Sequence, residues 1–512
     1  MSNQRNARPA TPPAWRATAR RSGRVIALFV VLSQSLLLIS NATPLRVEVG
    51  ANDFRISDMG PNGYPWARAY NPAIAYNFTN QEYLVVWQGD DVYDDRVEIF
   101  GQRLDATTGA EIGGDFRISD MGANDTDASF GANDPAVAYS STQNEYLVVW
   151  RGDDTTNNEF EIYGQRLDAT NGTEIGTNDF RISDMGDTDG DTNYSASVPA
   201  VAYNSTDNEF LVVWQGDDNI PGTGDSEIFC QRIDATDGSE LGTNDFRISD
   251  MGTADGATFD ASDPAVTYNR ANNEYLVVWA GDDDTGALVD GEFEIYGQRL
   301  DATDGSEQGT NDFRISNIGT DGSRWFGAVD PAVTYNSIGH EYLVVWQGDS
   351  LDLTNSNFEI YGQRLHATMA AEVGSNDFRI SDMGSVDGDH DYDAESPSVV
   401  HNERDNEYLI VWSGDDDTSP LANNEFEIYG QRLSGSVCAE VGDNDFRISD
   451  MGDTDGDPSF EAHDPAVAYG YGVDEYLVVW QGSEHLTSPS VIEFEIFGQR
   501  IMLPTLSFYA WD

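Results

Sequence analysis

A seven-fold internal repeat constrains this chain more than any other feature of its sequence. The pentapeptide DFRIS recurs at intervals of 62 to 68 residues. Each copy is followed by an Asp- and Gly-rich stretch, by PAVAY or a variant, by EYLVVWQGDD and by FEIYGQRLDAT, or close variants of these. Such a period is typical of repeat architectures, so the segment 44–502 is expected to form one repeat array. The seven copies begin at Asp53, Asp115, Asp179, Asp245, Asp312, Asp377 and Asp445.

Each unit contains four segments with the composition of β-strands, and none has helical periodicity. PAVAY, EYLVVW and EIYGQRL are rich in β-branched and aromatic residues, and the stretch from EIG to DFRIS supplies the fourth strand. EYLVVW is apolar almost throughout, which is typical of a strand covered on both faces. We therefore predict an all-β fold, a seven-bladed β-propeller of four-stranded antiparallel blades. A linear solenoid is the alternative, but it would need polar caps, and the sequence shows none.

The order of the segments also predicts how the ring closes. The seventh unit (465–501) lacks its fourth strand, whereas the chain has a spare strand at 46–57, before its first PAIAY. The N-terminal strand is therefore expected to complete the last blade and to remove the free edges of an open array. On this assignment the propeller spans 44–502, and 503–512 is a C-terminal tail.

Residues 1–42 have the pattern of a signal peptide. Arginines precede the apolar run 25–39, which is short for a membrane span and is interrupted by polar residues. Ser40 and Ala42 place small residues where a cleavage site requires them. We predict a protein that is secreted or held at the cell surface without a stable membrane span. An uncleaved anchor is the alternative.

The charge of the chain excludes one class of partner. Ninety acidic residues against 27 basic residues give a formal net charge of −63. Such a surface repels phosphate backbones and anionic lipids, so nucleic-acid binding is excluded. We expect a monomer in which the two cysteines, Cys230 and Cys438, lie in different blades and stay unbridged.

Charged residues at fixed repeat positions are expected to be structural. Fourteen arginines occupy the GQR and DFRIS positions of the units, with acids close by, which favours interstrand ion pairs over an anion-binding ring. The six histidines fall at different repeat positions, and no HExxH motif, no Ser-His-Asp order and no phosphate loop is present. Carboxylates are so abundant that a glycosidase-like pair would arise by chance. These observations predict a protein that is not an enzyme.

Loop length separates two faces of the expected propeller. The loops between blades and the loops between the second and third strands share one face, and they are the longest and most variable. The other two hairpins of each blade are short and uniform. Binding residues concentrate in variable loops on a rigid scaffold, so the first face is the expected site for a glycan or protein ligand.

Three of the inter-blade loops carry carboxylates at alternate positions. Oxygen ligands at every second residue around a Gly turn suit a hard cation such as calcium, although a solvated Asp-Gly turn is the simpler alternative. The distal bidentate Glu of an EF-hand loop is missing. Calcium is the expected cofactor, with candidate ligands Asp187, Asp189, Asp191, Asp387, Asp389, Asp391, Asp393, Asp453, Asp455 and Asp457.

The unit of YLVVW, EIYGQRL and DFRIS resembles the propeller repeats of exported bacterial proteins, and the resemblance covers nearly all of the chain after residue 42. The Asp-Xaa-Asp-Gly-Asp loops between blades are more distantly similar to those of integrin-α-type propellers. The second resemblance implies calcium binding and a role in adhesion.

These observations lead to one main functional hypothesis and two alternatives. The main hypothesis is a secreted acidic propeller that acts as a calcium-dependent binding or adhesion module for a glycan, matrix or cell-surface partner. A propeller lectin is one alternative, since Trp66 and Trp325 could stack on sugars, although aromatic residues that recur near one repeat position favour packing. An extracellular, glycosidase-like hydrolase is the alternative from a different class.

Overall fold

The computed structural model describes a chain built from β-strands. It contains 28 strands, and no helix occurs within the ranges that it describes. Those ranges are 47–60, 67–90, 96–122, 130–153, 159–186, 192, 194–217, 226–252, 259–283, 288–323, 327–349, 358–384, 392–416, 421–452, 455–484 and 493–503.

The strands group into seven sheets, which we number as blades in chain order. The first strand, β1 (Val47–Arg55), belongs to blade 7. Blades 1 to 3 consist of β2 (Arg68–Asn77), β3 (Glu82–Asp90), β4 (Glu98–Asp105) and β5 (Glu111–Arg117); β6 (Ala132–Ser140), β7 (Glu145–Gly152), β8 (Glu161–Asp168) and β9 (Glu174–Arg181); and β10 (Ala196–Asn204), β11 (Glu209–Gly216), β12 (Glu227–Asp234) and β13 (Glu240–Arg247). Blades 4 to 7 consist of β14 (Ala261–Asn269), β15 (Glu274–Asp282), β16 (Phe293–Asp301) and β17 (Glu307–Arg314); β18 (Gly327–Asn336), β19 (Glu341–Asp349), β20 (Phe358–His366) and β21 (Glu372–Arg379); β22 (Ala394–Asn402), β23 (Glu407–Asp415), β24 (Phe426–Ser434) and β25 (Glu440–Arg447); and β26 (Ala462–Gly470), β27 (Glu475–Glu484) and β28 (Glu493–Met502), with β1.

The order of strands confirms the predicted fold and its closure. In six blades the strands pair antiparallel in chain order, from the first to the fourth. In blade 7 the order is β26-β27-β28-β1, and Val47 lies opposite Met502. The first strands of the blades contact one another in sequence, and β2 contacts β26, which closes the ring around a central channel. The N-terminal strand therefore completes the last blade, and no blade is left with three strands.

The core lies between neighbouring blades. The second strand of each blade is buried on both faces, as the continuous apolar run predicts, and its tryptophan is fully buried. In six blades the indole Nε1–H donates to a methionine sulfur that follows the preceding DFRIS, for example from Trp412 to Met383 at 3.4 Å. Blade 5 has Ile318 at the methionine position, and the Trp346 indole N–H has no hydrogen-bond acceptor within the described ranges.

The repeated arginines form two sets of ion pairs, as predicted. The GQR arginine pairs in every blade with the glutamate that begins the second strand, for example Arg299 with Glu274 at 2.8 Å. In blades 4, 5 and 7 the DFRIS arginine also pairs with the glutamate of FEIYG or its variant, as in the contact between Arg379 and Glu359. Some of these side chains also join blades, since Arg364 Nη2 donates to the Ser436 carbonyl of the next blade at 2.7 Å.

Several predictions fall outside the described part of the chain. The proposed signal peptide 1–42 and nearly all of the tail 503–512 lie there, so export stays a prediction. A search of the described residues finds no apolar helix of membrane-spanning length. Cys230 is buried in blade 3 and Cys438 lies in a hairpin of blade 6, both with free thiols.

Candidate functional site

The central channel opens on the predicted face into a cavity of about 460 Å³. Seven Xaa-Pro pairs line it, one from each innermost strand, close to the point where that strand begins. The prolines are uniform, whereas the preceding residue changes from blade to blade. In order from blade 1 to blade 7 that residue is Asn71, Asp134, Val198, Asp263, Asp330, Ser396 and Asp464.

A β-bulge places these residues at the channel. The pairing of the first and second strands shifts by one residue at each pair, for example between Val329 and Ala332, and the residue before proline has a positive φ of 49 to 54°. Proline lacks an N–H and fits such a bulge, and a bulge re-aims a side chain. In five blades a side chain of the preceding blade accepts the backbone N–H of the bulged residue, as Gln88 Oε1 accepts from Asp134 N at 2.8 Å. The seven bulges therefore place a ring of side chains that differ between blades around the mouth of the channel.

Two of the four carboxylates in this ring accept hydrogen bonds from neighbouring side chains. Asn71 Nδ2 donates to Asp134 Oδ1 at 3.1 Å, and Ser262 Oγ donates to Asp263 Oδ2 at 2.9 Å. At Asp464 the Ser396 side chain favours the charged form of the carboxyl. Asp330 differs from the other three, because no donor to its carboxyl lies within the described ranges.

The electrostatic surroundings of the ring also single out Asp330. Burial raises its pKa to about 6, and the carboxylates of Asp263, Glu395 and Asp464 act in the same direction. Burial also raises the pKa of Asp464, but His463 and the Ser396 hydroxyl favour its charged form. Carboxyl groups whose surroundings differ in this way can hold different protonation states at one pH. The ring can therefore present a protonated and an ionised carboxyl together.

The structure describes only three of the ten candidate calcium ligands, and each is engaged with protein. Asp393 Oδ1 accepts the Phe358 N–H at 2.9 Å, and Asp455 Oδ1 accepts from Arg447 Nη2 at 3.0 Å. Asp457 Oδ1 accepts the Ser459 N–H at 3.1 Å. These oxygens do not converge, and within the described ranges no three His, Cys, Asp or Glu side chains form a metal-binding group. The other seven ligands, Asp187, Asp189, Asp191, Asp387, Asp389, Asp391 and Asp453, lie outside the described residues.

The loop aromatic residues pack against the core. Phe259 packs on the core cluster between blades 3 and 4, and Tyr392 is itself buried between blades 5 and 6. Phe460 occupies the equivalent place before blade 7. The packing alternative is thereby favoured for these residues, whereas Trp66 and Trp325 lie outside the described ranges.

The channel carboxylates were missed as site residues, although the sequence carries a signal for them. Its composition identifies the segment PAVAY only as a strand, and the longer loops before it carry the more numerous polar residues. The residue before its proline is Asp in blades 2, 4, 5 and 7 and something else in blades 1, 3 and 6. A variable polar position inside an otherwise uniform repeat was the available signal.

No protein-family model and no curated protein matches the chain. Among solved structures it is similar to an α-L-arabinofuranosidase from Fusarium graminearum, with 10% identity over 88% of this chain and 99% of that one and a TM-score of 0.42. An ulvan lyase aligns with 8% identity over 88% and 95% of the two chains, with a TM-score of 0.48. The β-propeller domain of the trilobed protease from Pyrococcus furiosus aligns with 9% identity over 87% and 99%, with a TM-score of 0.43. These likenesses concern the fold alone.

One prediction made from the sequence has to be corrected. The lack of a catalytic motif led to the expectation that the protein is not an enzyme. The solved propellers just named come from enzymes by their names, one of them an α-L-arabinofuranosidase and one a polysaccharide lyase. The lack of a motif is therefore no ground for calling the protein a non-enzyme, because catalytic groups on a propeller come from separate blades and need form no motif along the sequence. A reaction has to be assigned from the residues of this chain.

Proposed function

We propose that this protein hydrolyses a glycan at the channel mouth on the face of the inter-blade loops. A single observation carries the proposal. Asp330 is a channel carboxyl without a donor in the described ranges, its pKa is raised to about 6, and it lies among other carboxylates. Glycoside hydrolysis requires such a pair, in which one carboxyl is protonated and the other ionised at the working pH.

The roles within the pair follow from the hydrogen bonds. Asp330 is the general acid, because burial and neighbouring negative charge keep its proton and no donor in the described ranges favours its charged form. We assign Asp464 as the ionised partner: burial raises its pKa as well, but His463 and the Ser396 side chain act against that shift, whereas no such group acts against it at Asp330. Asp330 then protonates the leaving oxygen of the glycosidic bond, and Asp464 acts on the sugar carbon or on a water molecule.

The charge and the size of the site define the class of substrate. A cavity of about 460 Å³ falls within the range of about 300–1,000 Å³ that is usual for ligand sites. A net charge of −63 and a carboxylate ring repel anionic polysaccharides at long range. The substrate is therefore an uncharged glycan.

The test measures hydrolysis of neutral polysaccharides and of aryl glycosides of neutral sugars by the wild type and by Asp330→Asn. The variant should fold, because Asn71 occupies the equivalent bulge in blade 1. Loss of a general acid should lower kcat by about 10²- to 10⁴-fold. Wild-type activity should decline above pH 6, as Asp330 loses its proton.

The matched control is Asp237→Asn, which changes an exposed carboxyl in a hairpin turn and should keep full activity. Two results would overturn the proposal. One is full activity of Asp330→Asn, and the other is binding of a neutral oligosaccharide without turnover by the wild type.

Calcium binding and export accompany this proposal as separate predictions. Calcium would be held by the inter-blade loops, where the described carboxylates already bind protein groups. Melting in 0.5 M NaCl with added calcium or magnesium tests it, since general charge screening is nearly complete at that salt concentration. A rise of the melting temperature with calcium alone would support specific ligation.

A further inference from the structure

The opposite end of the central channel holds a second cavity, of about 210 Å³. It lies where the innermost strands of blades 4 to 6 end and turn into their second strands. The sequence marks this face as the short and uniform one. All the large hydrophobic side chains that are exposed within the described ranges also lie at strand ends and hairpins of this face, and Tyr471 at the cavity is one of them, 51% exposed.

The residues of this cavity are those at which blades 4 to 6 depart from the repeat. The innermost strand carries Ala two positions before its last residue in blades 1, 2, 3 and 7, but Thr267, Thr334 and Val400 in blades 4, 5 and 6. The next position is Tyr in six blades and His401 in blade 6. The residues that differ from the repeat consensus therefore line the same cavity. The packing that is common to all blades does not explain why they differ there.

An ion pair spans the rim of the cavity. Arg270 Nη2 of blade 4 lies 2.9 Å from Glu403 Oε1 of blade 6, and the Ser337 hydroxyl of blade 5 donates to the same oxygen at 2.6 Å. The pair crosses the intervening blade and is partly exposed. It presents both donors and acceptors to the cavity without adding net charge.

His401 provides a second, independent observation. Its side chain is buried, with 4% exposed, and burial lowers its pKa, so the imidazole is neutral. Asn406 Oδ1 accepts from Asn336 Nδ2 at 3.1 Å, and His401 Nε2 donates to the same oxygen at 3.2 Å. Nδ1 is then a buried acceptor without a donor within the described ranges, an arrangement that costs stability unless a ligand or water satisfies it.

We propose that this cavity binds one neutral, polyhydroxylated ring, such as a single uncharged sugar residue. The hydroxyl groups of Thr267 and Thr334 and the rim ion pair match sugar hydroxyls, and the exposed ring of Tyr471 offers an apolar face. The absence of net charge at the rim disfavours an ionic ligand. A cavity below about 300 Å³ suits a single ring better than a longer chain. The site is separate from the channel mouth that carries Asp330 and does not depend on the hydrolysis proposed there.

Saturation-transfer NMR on the intact protein tests the proposal, with glucose, galactose, mannose, arabinose and myo-inositol as probes and glucuronate as the charged comparison. Two variants return the cavity to the sequence of the other blades, the double variant Thr267→Ala/Thr334→Ala and His401→Tyr. Because other blades carry these residues, both variants should fold. We expect at least one neutral ring to bind the wild type and to bind each variant at least ten-fold more weakly.

Two controls separate this site from the rest of the molecule. Ala138→Thr makes the equivalent change in blade 2, and Asp330→Asn alters only the opposite mouth, so both should bind the ring as the wild type does. The proposal is overturned if no neutral ring binds, if only glucuronate binds, or if the two cavity variants bind as well as the wild type. Loss of binding in Asp330→Asn would also overturn it, by assigning the signal to the other mouth.

Discussion

The outer strands and the channel-lining strands of this propeller differ in how their polar contacts repeat. On the outer strands every blade makes the same contacts, in which a buried glutamate accepts from a serine hydroxyl and from a backbone N–H after DFRIS. On the channel strands the contacts change from blade to blade. Asp134 accepts from Asn71, Asp263 accepts from Ser262, and Asp330 has no donor in the described ranges.

This difference distinguishes residues that stabilise the propeller from residues that are available for function. A contact that occurs seven times is required wherever two strands or two blades meet, whatever a single blade does. A contact that changes from blade to blade at a repeated position cannot be required by packing in that sense. Internal comparison of the blades therefore points to function in the channel and to stability on the outer strands.

The largest test of this distinction concerns the buried glutamate of blade 5. Glu359 is 1% exposed and accepts from Arg379, from Ser381 Oγ and from the Met383 N–H. Glu359→Ala removes the acceptor of the Ser381 hydroxyl and of the Met383 N–H and one of the partners of Arg379, and breaking a buried ion pair from one side costs about 3–5 kcal/mol. Chemical denaturation should show that loss, whereas Asp330→Asn in the channel of the same blade should change the free energy of unfolding by less than about 1 kcal/mol. Equal losses in the two variants would refute the distinction.

The second test uses pH, because the outer strands also carry the DFRIS aspartates at the junctions between blades. Burial raises the pKa of all seven to about 6 or 7. A carboxyl with a raised folded-state pKa contributes stability that is full below the unfolded-state value, near 4, and is lost as the pH rises through 6 to 7. The protein should therefore melt at a higher temperature at pH 5 than at pH 8.

A single substitution sharpens this test. Asp445 Oδ2 accepts the Asp382 N–H of the neighbouring blade at 3.1 Å, and Asp445 Oδ1 is buried without a partner in the described ranges. Asp445→Asn mimics the protonated acid and suits the positive φ of 43°. It should reduce the stability difference between pH 5 and pH 8 by about 1–2 kcal/mol, allowing for partial solvent screening. Asp237→Asn, at an exposed carboxyl whose pKa is lowered by its hydrogen bonds to Ser239, should leave the difference unchanged.

The fold could be predicted from the sequence in nearly every respect. The DFRIS period fixed the number of blades, and the spare segment at 46–57 fixed the closure by β1. Both inferences depend on strand composition and chain order, which are local properties. The pairing of arginines with glutamates was also predictable, because both residues recur in every unit.

The candidate sites were much less predictable. Asp330, Asp464 and His401 lie in different blades, and only the closed ring brings residues such as these to a common channel. The raised pKa of Asp330 depends on burial and on carboxylates from other blades, which no local pattern shows. Loop length directed attention to the Asp-rich segments, whereas the residues with unmet hydrogen-bonding capacity lie on the strands beside them.

The smallest test concerns the one outer contact that departs from the repeat. In blade 5 Ile318 replaces the methionine whose sulfur accepts the tryptophan N–H in the other six blades, and the Trp346 N–H is buried without an acceptor in the described ranges. Ile318→Met should restore the contact and raise the free energy of unfolding by about 0.3–1.5 kcal/mol, the range of sulfur–aromatic contacts. The reciprocal Met383→Ile in blade 6 should lower it by about 1–3 kcal/mol, since it leaves the Trp412 N–H unpaired. If both variants lower the free energy of unfolding by similar amounts, blade 5 is packed specifically around Ile318. The isoleucine would then reflect local packing in that blade and not the loss of a contact.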